Sequence, residues 1–247
     1  MKVEAPAKLT LSLRVTGVRD DGYHLIDAEM VSLSIGDVLD ITPTDSGTSL
    51  AATGPFADGV PVDDSNLVAI ALRAAERSAH VTIDKQIPHG GGLGGGSSDA
   101  AAVLRWAGWS HDDLERASRI GADVAFCLVG GRARVRGIGE IVEPLPHIER
   151  TVTLVIPPLH VSTPAVYRAW DDLGGPTAAG PNDLEPAAIV VEPELARWRD
   201  RIGDACGQAP VLAGSGATWF VHGEQSNALA AVGNEGADII VARAIRS

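Results

Sequence analysis

Residues 87–102 form a glycine-rich segment that runs directly into an alanine-rich one, and this feature constrains the fold more than any other. Six of the seven residues from 90 to 96 are glycine, and Ser97, Ser98 and Asp99 follow before three alanines. Glycine tolerates positive φ angles and lets the backbone approach a ligand closely, while a helix N-terminus leaves several N–H groups unpaired. Glycines followed by a helix start therefore predict a phosphate-binding loop. A flexible linker is the alternative, although residues 100–104 are good helix formers.

Two common phosphate-binding loops fit this segment poorly. A P-loop requires a lysine followed by serine or threonine after its last glycine, and no lysine follows the glycines here. Gly90, Gly92 and Gly95 satisfy the GxGxxG fingerprint of dinucleotide-binding folds. That fingerprint belongs after the first strand of a βαβ unit, with an acidic residue about 20 residues later. Asp112 and Asp113 fill the acidic position only loosely, so dinucleotide binding stays open as the weaker alternative.

The composition is that of a folded, acidic protein. Of its 247 residues 45% are hydrophobic, enough for one large or two modest domains. The net charge of −12 argues against nonspecific nucleic-acid binding and adhesion to anionic membranes, so we expect neither partner. Cys127 and Cys206 are too few for a thiolate zinc site or a disulfide scaffold. No apolar run reaches 18 residues and the first residues lack a signal-peptide core, so we expect a cytoplasmic protein. The sequence leaves the oligomeric state open.

Hydrophobic periodicity predicts strands and helices in both halves of the chain. Residues 9–15 alternate apolar and polar side chains like a strand, and residues 29–41 contain two short strand-like runs divided by Gly36 and Asp37. Residues 45–63 are rich in Gly, Pro, Asp and Thr, which predicts loops and turns. The predicted helices span residues 66–79, 98–106, 112–120, 193–202 and 225–232. The remaining predicted strands span residues 81–83, 132–136, 151–156, 218–221 and 238–241. The predicted fold class is α+β.

Several further segments show a resemblance that covers nearly the whole chain. They are Ala-Pro-Ala-Lys-Leu-Thr-Leu at 5–11, Arg-Asp-Asp-Gly-Tyr-His-Leu at 19–25, Gly-Ala-Asp-Val at 121–124, Asn-Asp-Leu-Glu-Pro at 182–186 and Gly-Ser-Gly-Ala-Thr at 214–218. Together with the glycine loop, they resemble the 4-diphosphocytidyl-2-C-methyl-D-erythritol kinase family of the GHMP kinase superfamily. The Asp-Gly-Tyr-His segment is the more specific motif, because glycine loops are shared by the whole superfamily.

The resemblance implies a fold, cofactors and a reaction. The expected fold has an N-terminal ATP-binding domain at 1–149 and a C-terminal substrate-binding domain at 150–247, with the active site in the cleft between them. Prolines at 144, 146, 157 and 158 are consistent with a domain transition there. The implied cofactors are ATP and Mg²⁺. The implied partner is a small cytidine diphosphate whose hydroxyl is phosphorylated in isoprenoid precursor synthesis.

Lys8 and Asp123 are the candidates for catalysis. Phosphoryl transfer to a hydroxyl needs charge stabilisation, alignment and a proton acceptor. An aspartate beside a lysine stays ionised and can accept the proton, while the lysine stabilises developing charge. A surface lysine and a helix-end aspartate are the alternatives, because 115 positions separate the two residues. The resemblance implies that they meet, and the apolar run at 124–129 favours a buried edge for Asp123.

The resemblance also implies the contacts with ATP. The expected residues are Asn66, Lys85, Pro88, Gly90, Gly91, Gly92, Leu93, Gly94, Gly95, Gly96, Ser97 and Ser98. Three of them have alternative interpretations. The hydroxyl of Ser98 either binds Mg²⁺ or phosphate or caps the helix. Considered without the resemblance, Asn66 predicts a helix N-cap and Lys85 predicts an exposed charge at a strand end.

The expected substrate contacts come from both halves of the chain. They are Thr10, Tyr23, His24, Thr163, Tyr167, Gly214 and Ser215. By the resemblance, Tyr23 and Tyr167 sandwich the cytosine, where each stacking contact contributes about 1–3 kcal/mol, and His24 reads the base edge. Core packing or a turn is the alternative for Tyr23 and His24. An ordinary turn is the alternative for Gly214, which by the resemblance closes around the transferred phosphate.

The match has departures, and two other functions stay open. Thr10 stands where the family usually has Asn, Ala-Phe-Cys at 125–127 replaces Pro-Phe-Phe, His89 replaces a more usual Met, and the connection at 106–109 is short. Altered substrate preference or reduced activity therefore remains open. A homoserine- or mevalonate-type kinase is the first alternative, although those substrates offer no base to stack on two tyrosines. A non-catalytic nucleotide-binding protein is the second, although Lys8 and Asp123 are both present.

Overall fold

A computed structural model describes residues 1–88 and 90–247, so His89 lies outside the described residues. The first two strands, β1 (Lys2–Val18) and β2 (His24–Pro43), form a long antiparallel pair. The other strands are β3 (Ser49–Thr53), β4 (Ala79–Asp84), β5 (Arg132–Gly137), β6 (Ile141–Pro144), β7 (Thr151–Ile156), β8 (Val211–Leu212), β9 (Trp219–His222) and β10 (Asp238–Arg243). The α-helices are α1 (Leu67–Ala74), α2 (Gly95–Trp106), α3 (Leu114–Ser118), α4 (Val124–Val129), α5 (Thr163–Asp172), α6 (Glu185–Val191), α7 (Glu194–Cys206) and α8 (Ala230–Gly233). Helices and strands occur in both halves of the chain, which confirms the α+β prediction.

The strands form two sheets. In the first sheet, β2 pairs with β1 along one edge and with β4 and β5 along the other, and β3 and β6 extend the sheet outward. The second sheet is antiparallel, in the order β10-β7-β9-β8. All strands of the first sheet precede residue 145, and all strands of the second follow residue 150.

A shared hydrophobic core joins the two sheets. Leu9 and Leu33 of the first sheet belong to the same buried cluster as Leu154 and Phe220 of the second. The two sheets therefore bury apolar surface against each other. The division at 149/150 stays a prediction. Within the described part of the chain, no helix combines the length and apolar character needed to span a membrane.

Several predicted elements are longer or shorter in the structure. The predicted break at Gly36 and Asp37 is wrong, because β2 is continuous through both residues. Gly36 instead permits close packing, since a Cβ there would lie 2.8 Å from the carbonyl oxygen of Ala5. The helix predicted at 66–79 ends at Ala74, because Ala79 already pairs in β4.

Other elements were missed or shifted. Strand β3 lies inside the predicted loop at 45–63, where it pairs parallel to β4. The helix predicted at 112–120 begins as a 3₁₀ turn, His111–Asp113, with Ser110 as its N-cap, as expected for that serine. The helix predicted at 225–232 shrinks to α8. Cys127 is buried in α4, and burial raises the pKa of its thiol to about 12, which makes it an inert apolar residue.

Candidate active site

The glycine loop leads into α2 and leaves its first turn without a side-chain cap. Gly94 is the N-cap at φ 69°, and Gly92 has φ 75°. Both angles lie in the left-handed region that favours glycine. The helix begins at Gly95, three residues before the predicted start, so neither Ser97 nor Ser98 caps it. The uncapped N–H groups of the first turn are therefore free of side-chain acceptors and suited to an anion.

The loop lines a cavity of about 230 Å³. Its lining includes Leu67 and the predicted nucleotide residues Lys85, Pro88, Gly90, Gly91, Gly92, Leu93, Gly94, Gly95, Gly96 and Ser97. Ser98 faces elsewhere: its hydroxyl donates to the carbonyl oxygen of Pro6, which ties α2 to β1. Ser98 is also buried, so its predicted contact with phosphate or Mg²⁺ stays a prediction and its observed role is structural.

Lys8 and Asp123 meet where the glycine loop crosses β1. The Nζ of Lys8 lies 3.1 Å from Oδ2 of Asp123, and the backbone N–H of Lys8 donates to the carbonyl oxygen of Leu93 at 2.9 Å. Lys8 follows a register irregularity in β1, and Asp123 is the residue before α4. A Cβ on Gly94 would lie 2.6 Å from Cγ of Lys8, so the loop and the lysine fit together only because residue 94 is glycine. The Lys8 ammonium is nearly buried, whereas the Asp123 carboxylate is 29% exposed and open to the cleft.

A second cavity, of about 640 Å³, lies on the other side of this pair. It is lined by Lys8 and Asp123 and by all seven residues expected to contact the substrate, namely Thr10, Tyr23, His24, Thr163, Tyr167, Gly214 and Ser215. Gly92 of the glycine loop also lines it. The Lys8–Asp123 pair therefore lies between the glycine loop and a cavity large enough for a small organic molecule.

The turn at Gly214 closes one wall of this second cavity. A Cβ on Gly214 would lie 3.8 Å from Oγ1 of Thr10 and 3.9 Å from Nζ of Lys8. The Lys8 ammonium also donates to Oγ1 of Thr10 at 3.4 Å. Ser215, the next residue, shares a 2.7 Å hydrogen bond with the hydroxyl of Thr163. The turn thus brings small and hydroxyl-bearing residues to the Lys8–Asp123 pair.

Asn182 holds that turn in place, a role that was not predicted. Its buried side-chain amide donates to the carbonyl oxygens of Leu212 at 2.9 Å and Gly214 at 2.7 Å. Its Oδ1 accepts the N–H of Leu184 at 2.9 Å, so both the nitrogen and the oxygen of the buried amide have partners. The only sequence signal was the position of Asn182 within a family motif.

The aromatic wall of the second cavity differs in detail from the expected tyrosine sandwich. The ring of His24, rather than that of Tyr23, lies against Tyr167, with centroids 4.7 Å apart. Tyr23 is 61% exposed at the mouth of the cavity. Burial raises the pKa of Tyr167 to about 12, and the nearby Asp123 charge adds to the shift, so its phenol stays neutral. Asp171, which was not predicted, accepts a hydrogen bond from Nε2 of His24 at 2.8 Å.

Two predicted nucleotide residues have structural partners. Asn66 caps α1, since its Oδ1 accepts the N–H of Val68 at 2.8 Å, as its alternative interpretation states. Lys85 is not an exposed strand-end charge, because its ammonium is buried between the carboxylates of Asp37 and Asp99, with Oδ2 of Asp99 at 2.7 Å. Contact of either residue with a nucleotide stays a prediction.

The buried cluster of Lys85, Asp37 and Asp99 lies directly beneath the glycine loop. A Cβ on Gly95 would lie 3.3 Å from Nζ of Lys85. Burial by itself lowers the pKa of Lys85, but the two carboxylates outweigh it and hold that pKa above its ordinary value. Burial raises the pKa of Asp99 to about 7 although the Lys85 ammonium opposes the shift. Oδ1 of Asp99 is buried without a hydrogen-bond partner among the described residues.

No metal cage accompanies these clusters in the described part of the chain. Within residues 1–88 and 90–247, no group of three or more His, Cys, Asp or Glu side chains is placed so that it could hold a metal ion. Mg²⁺ in phosphoryl-transfer sites is usually bound by one or two carboxylates together with substrate phosphates and water. The described residues therefore fit a metal ion that is held mainly by substrate phosphates and water, beside the open carboxylate of Asp123, and not a metal ion held in a dedicated cage of side chains.

Comparison with known proteins identifies the family. Residues 65–131 match the GHMP kinases N terminal domain. The chain is 43% identical over 235 residues to a 4-diphosphocytidyl-2-C-methyl-D-erythritol kinase of Paracoccus denitrificans, with 87% of this chain and 84% of the relative covered. A kinase of the same name from Jannaschia is 39% identical over 238 residues, covering 87% of this chain and 86% of the relative.

Solved structures agree with the sequence relatives. A crystal structure of 4-(cytidine 5'-diphospho)-2C-methyl-D-erythritol kinase superposes with a TM-score of 0.78 at 32% identity, over 99% of this chain and 100% of that chain. A homoserine kinase from Cytophaga hutchinsonii has a TM-score of 0.68 at 19% identity, over 100% and 94% of the two chains, and shows the shared fold alone. Because the relatives match over most of their length and the glycine loop, Lys8 and Asp123 lie together in the same fold, the chain belongs to the 4-diphosphocytidyl-2-C-methyl-D-erythritol kinase family of GHMP kinases.

Proposed function

We propose that this protein transfers the γ-phosphate of ATP to a hydroxyl of 4-diphosphocytidyl-2-C-methyl-D-erythritol, a step of the non-mevalonate route to isoprenoid precursors. The observation that carries the proposal is the position of the Lys8–Asp123 pair. It lies between a loop suited to phosphate and a cavity with an aromatic wall. Relatives at 36–43% identity that cover most of the chain are named as this kinase.

The proposed mechanism uses the two charges of the pair in succession. The Asp123 carboxylate accepts the proton of the acceptor hydroxyl, whose oxygen then bonds to the γ-phosphorus as the bond to the ADP oxygen breaks. The Lys8 ammonium, 3.1 Å from that carboxylate, holds it in position and stabilises the negative charge on the transferred group. A positioned base of this kind contributes about 10²–10⁴-fold to the rate.

The nucleotide side of the proposal rests on the glycine loop. The triphosphate would lie over the uncapped N-terminus of α2, with the adenosine toward the wall that holds Leu67, Lys85 and Pro88. Mg²⁺ would be held by phosphate oxygens and water, and it would supply charge neutralisation on the transferring phosphate.

The acceptor side rests on the second cavity. Its volume of about 640 Å³ is ample for a nucleoside diphosphate conjugate, and His24 and Tyr167 offer aromatic surface to a planar base. Thr10, Thr163 and the Gly214 turn would then hold the reacting end of the substrate near Lys8. Both halves of the chain line this cavity, so we propose residues 1–149 as the nucleotide domain and 150–247 as a substrate domain that shares its site with β1 and β2.

We also propose that the enzyme works in the cytoplasm. The two cysteines are both free, which fits a reducing compartment.

The decisive test is acceptor-dependent release of ADP. Purified protein with MgATP should release ADP when 4-diphosphocytidyl-2-C-methyl-D-erythritol is added, and it should release little with homoserine or mevalonate. An equal rate with homoserine or mevalonate would assign the protein to another GHMP activity. The absence of any rate, with ATP binding retained, would indicate a non-catalytic nucleotide-binding protein.

A second test addresses the base. Asp123→Asn should lower turnover by about 10²–10⁴-fold while the affinity for ATP is retained, because the amide cannot accept the proton. Asp112→Asn is the matched control, since Asp112 is an exposed aspartate outside both cavities. Turnover that is equal in Asp123→Asn and the control would reject Asp123 as the base.

A further inference from the structure

His24 is held from one side by a single face of α5. Tyr167, Trp170 and Asp171 are spaced at i, i+3 and i+4, so their side chains lie on the same helical face. The Tyr167 ring lies 4.7 Å from the His24 ring, and the Trp170 ring meets it edge-on at 5.6 Å. The indole N–H of Trp170 donates in turn to the carbonyl oxygen of Pro176 at 3.0 Å, which anchors that face.

The hydrogen bond to Asp171 determines which nitrogen of His24 carries the proton. An ionised carboxylate can only accept, so the 2.8 Å bond from Nε2 of His24 to Oδ1 of Asp171 requires a hydrogen on Nε2. In the neutral imidazole, the other nitrogen, Nδ1, is then an acceptor. Among the residues that the structure describes, no side chain or backbone group hydrogen-bonds to Nδ1.

The acceptor character of Nδ1 matters because His24 and Asp171 both line the 640 Å³ cavity. Cytosine presents one exocyclic donor, the 4-amino group, whereas uracil presents an acceptor, the 4-oxo group, at the same position. An acceptor that faces this position pairs with cytosine and repels uracil. A binding site discriminates strongly when the wrong ligand leaves its polar groups unpaired or opposed.

We propose that Asp171 is a positioning residue that makes the site select cytosine over uracil, by fixing the tautomer in which Nδ1 of His24 accepts a hydrogen bond. The inference rests on the proposed function, because it takes the base of the substrate to lie against His24. It goes further in assigning base selectivity to a carboxylate that touches the histidine and not the substrate.

The experiment compares Asp171→Asn with the wild type on two acceptors, the cytidine substrate and its uridine analogue. Asparagine can donate to or accept from Nε2, so it no longer fixes the tautomer. The ratio of kcat/KM for cytidine over uridine should fall about tenfold or more, since an opposed or unpaired buried polar group costs on the order of one tenfold step in affinity. Asp172→Asn is the matched control, because it removes the same charge from the next residue, which is exposed like Asp171 but does not hydrogen-bond to His24, and it should leave the ratio unchanged.

A measurement on the resting protein reports the tautomer directly. In ¹⁵N spectra, the His24 imidazole, assigned by its absence in His24→Gln, should show a protonated Nε2 and an unprotonated Nδ1 in the wild type. In Asp171→Asn the two nitrogen shifts should move toward each other. A protonated Nδ1 in the neutral wild-type ring would overturn the proposal even if the variant were to fold poorly.

The outcomes separate this inference from the proposed function. A base ratio that is unchanged in Asp171→Asn, or that falls equally in Asp172→Asn, refutes the inference while the kinase activity stands. If neither acceptor is phosphorylated, the proposed function fails. The inference is then decided by calorimetric binding of CDP and UDP, for which the wild type should prefer CDP and Asp171→Asn should not. Equal binding of CDP and UDP by the wild type would refute it.

Discussion

Replacing Asp99 by asparagine should change how the stability of this protein depends on pH. Asp99 is buried and shares the Lys85 ammonium with Asp37, so two carboxylates compete for one positive charge in a dry site. Its Oδ1 has no hydrogen-bond partner among the described residues. An ionised Asp99 therefore leaves the cluster with one uncompensated negative charge, which is costly in the protein interior.

The size and sign of the effect follow from the pKa of Asp99. Burial raises that pKa from 3.8 to about 7 on folding. Because the folded state binds the proton more tightly, the stabilising contribution of the protonated group is complete below pH 4 and is lost as the pH rises through 7. A shift of about three pKa units corresponds to about 4 kcal/mol. Asparagine carries no charge at any pH, so the free energy of unfolding of the variant relative to wild type should rise by up to about 4 kcal/mol between pH 4 and pH 8.

Urea unfolding at a series of pH values between 4 and 8 measures this difference. Tryptophan fluorescence follows the transition, and the slope with urea should be equal in the two proteins if only stability has changed. Asp45→Asn, which alters an exposed aspartate, is the control and should run parallel to the wild type at every pH. Parallel curves for Asp99→Asn and wild type would refute the reasoning, since they would show that Asp99 does not titrate differently in the folded state.

Three further predictions follow from the site. Gly94→Ala should lower turnover at least about tenfold, because its Cβ would lie 2.6 Å from Cγ of Lys8 and the left-handed backbone adds about 1–2 kcal/mol of strain. The control in steady-state assays is Gly108→Ala, where φ is 91° and a Cβ would meet nothing within 4 Å. An equal loss of turnover in the control would contradict displacement of Lys8. Asn182→Ala should lower the free energy of unfolding, measured with urea, by about 1–3 kcal/mol, because it leaves the carbonyl oxygen of Gly214 without its hydrogen bond. It should also raise the KM of the acceptor more than the KM of ATP. An unchanged acceptor KM would show that the turn holds its place without the amide. Removal of divalent cations with EDTA should abolish ADP release, and added Mg²⁺ should restore it; release that persists in EDTA would exclude the metal from the reaction.

Local features of the sequence predicted the parts of the site that local chemistry builds. Six glycines before an alanine run predicted the glycine loop and the helix that follows it, because positive φ angles and helix propensity act over a few residues. The alternation at 9–15 predicted the strand that presents Lys8 and Thr10. Where a residue had two interpretations, the local one was correct for Asn66, which caps α1. It was wrong for Lys85, whose charge is buried.

The sequence by itself therefore determined most of the elements, the glycine loop and, through its motifs, the family, but it missed β3 and the continuity of β2. Tertiary structure alone decided which distant side chains meet. Lys85 lies between Asp37 and Asp99, His24 is oriented by Asp171, and the Gly214 turn is held by Asn182. These pairings depend on strand register, on the packing of α2 against β1 and β2, and on the contact between α5 and His24. Propensity and spacing carry no information about such long-range contacts, because a side chain finds its partner only after the backbone layers have assembled.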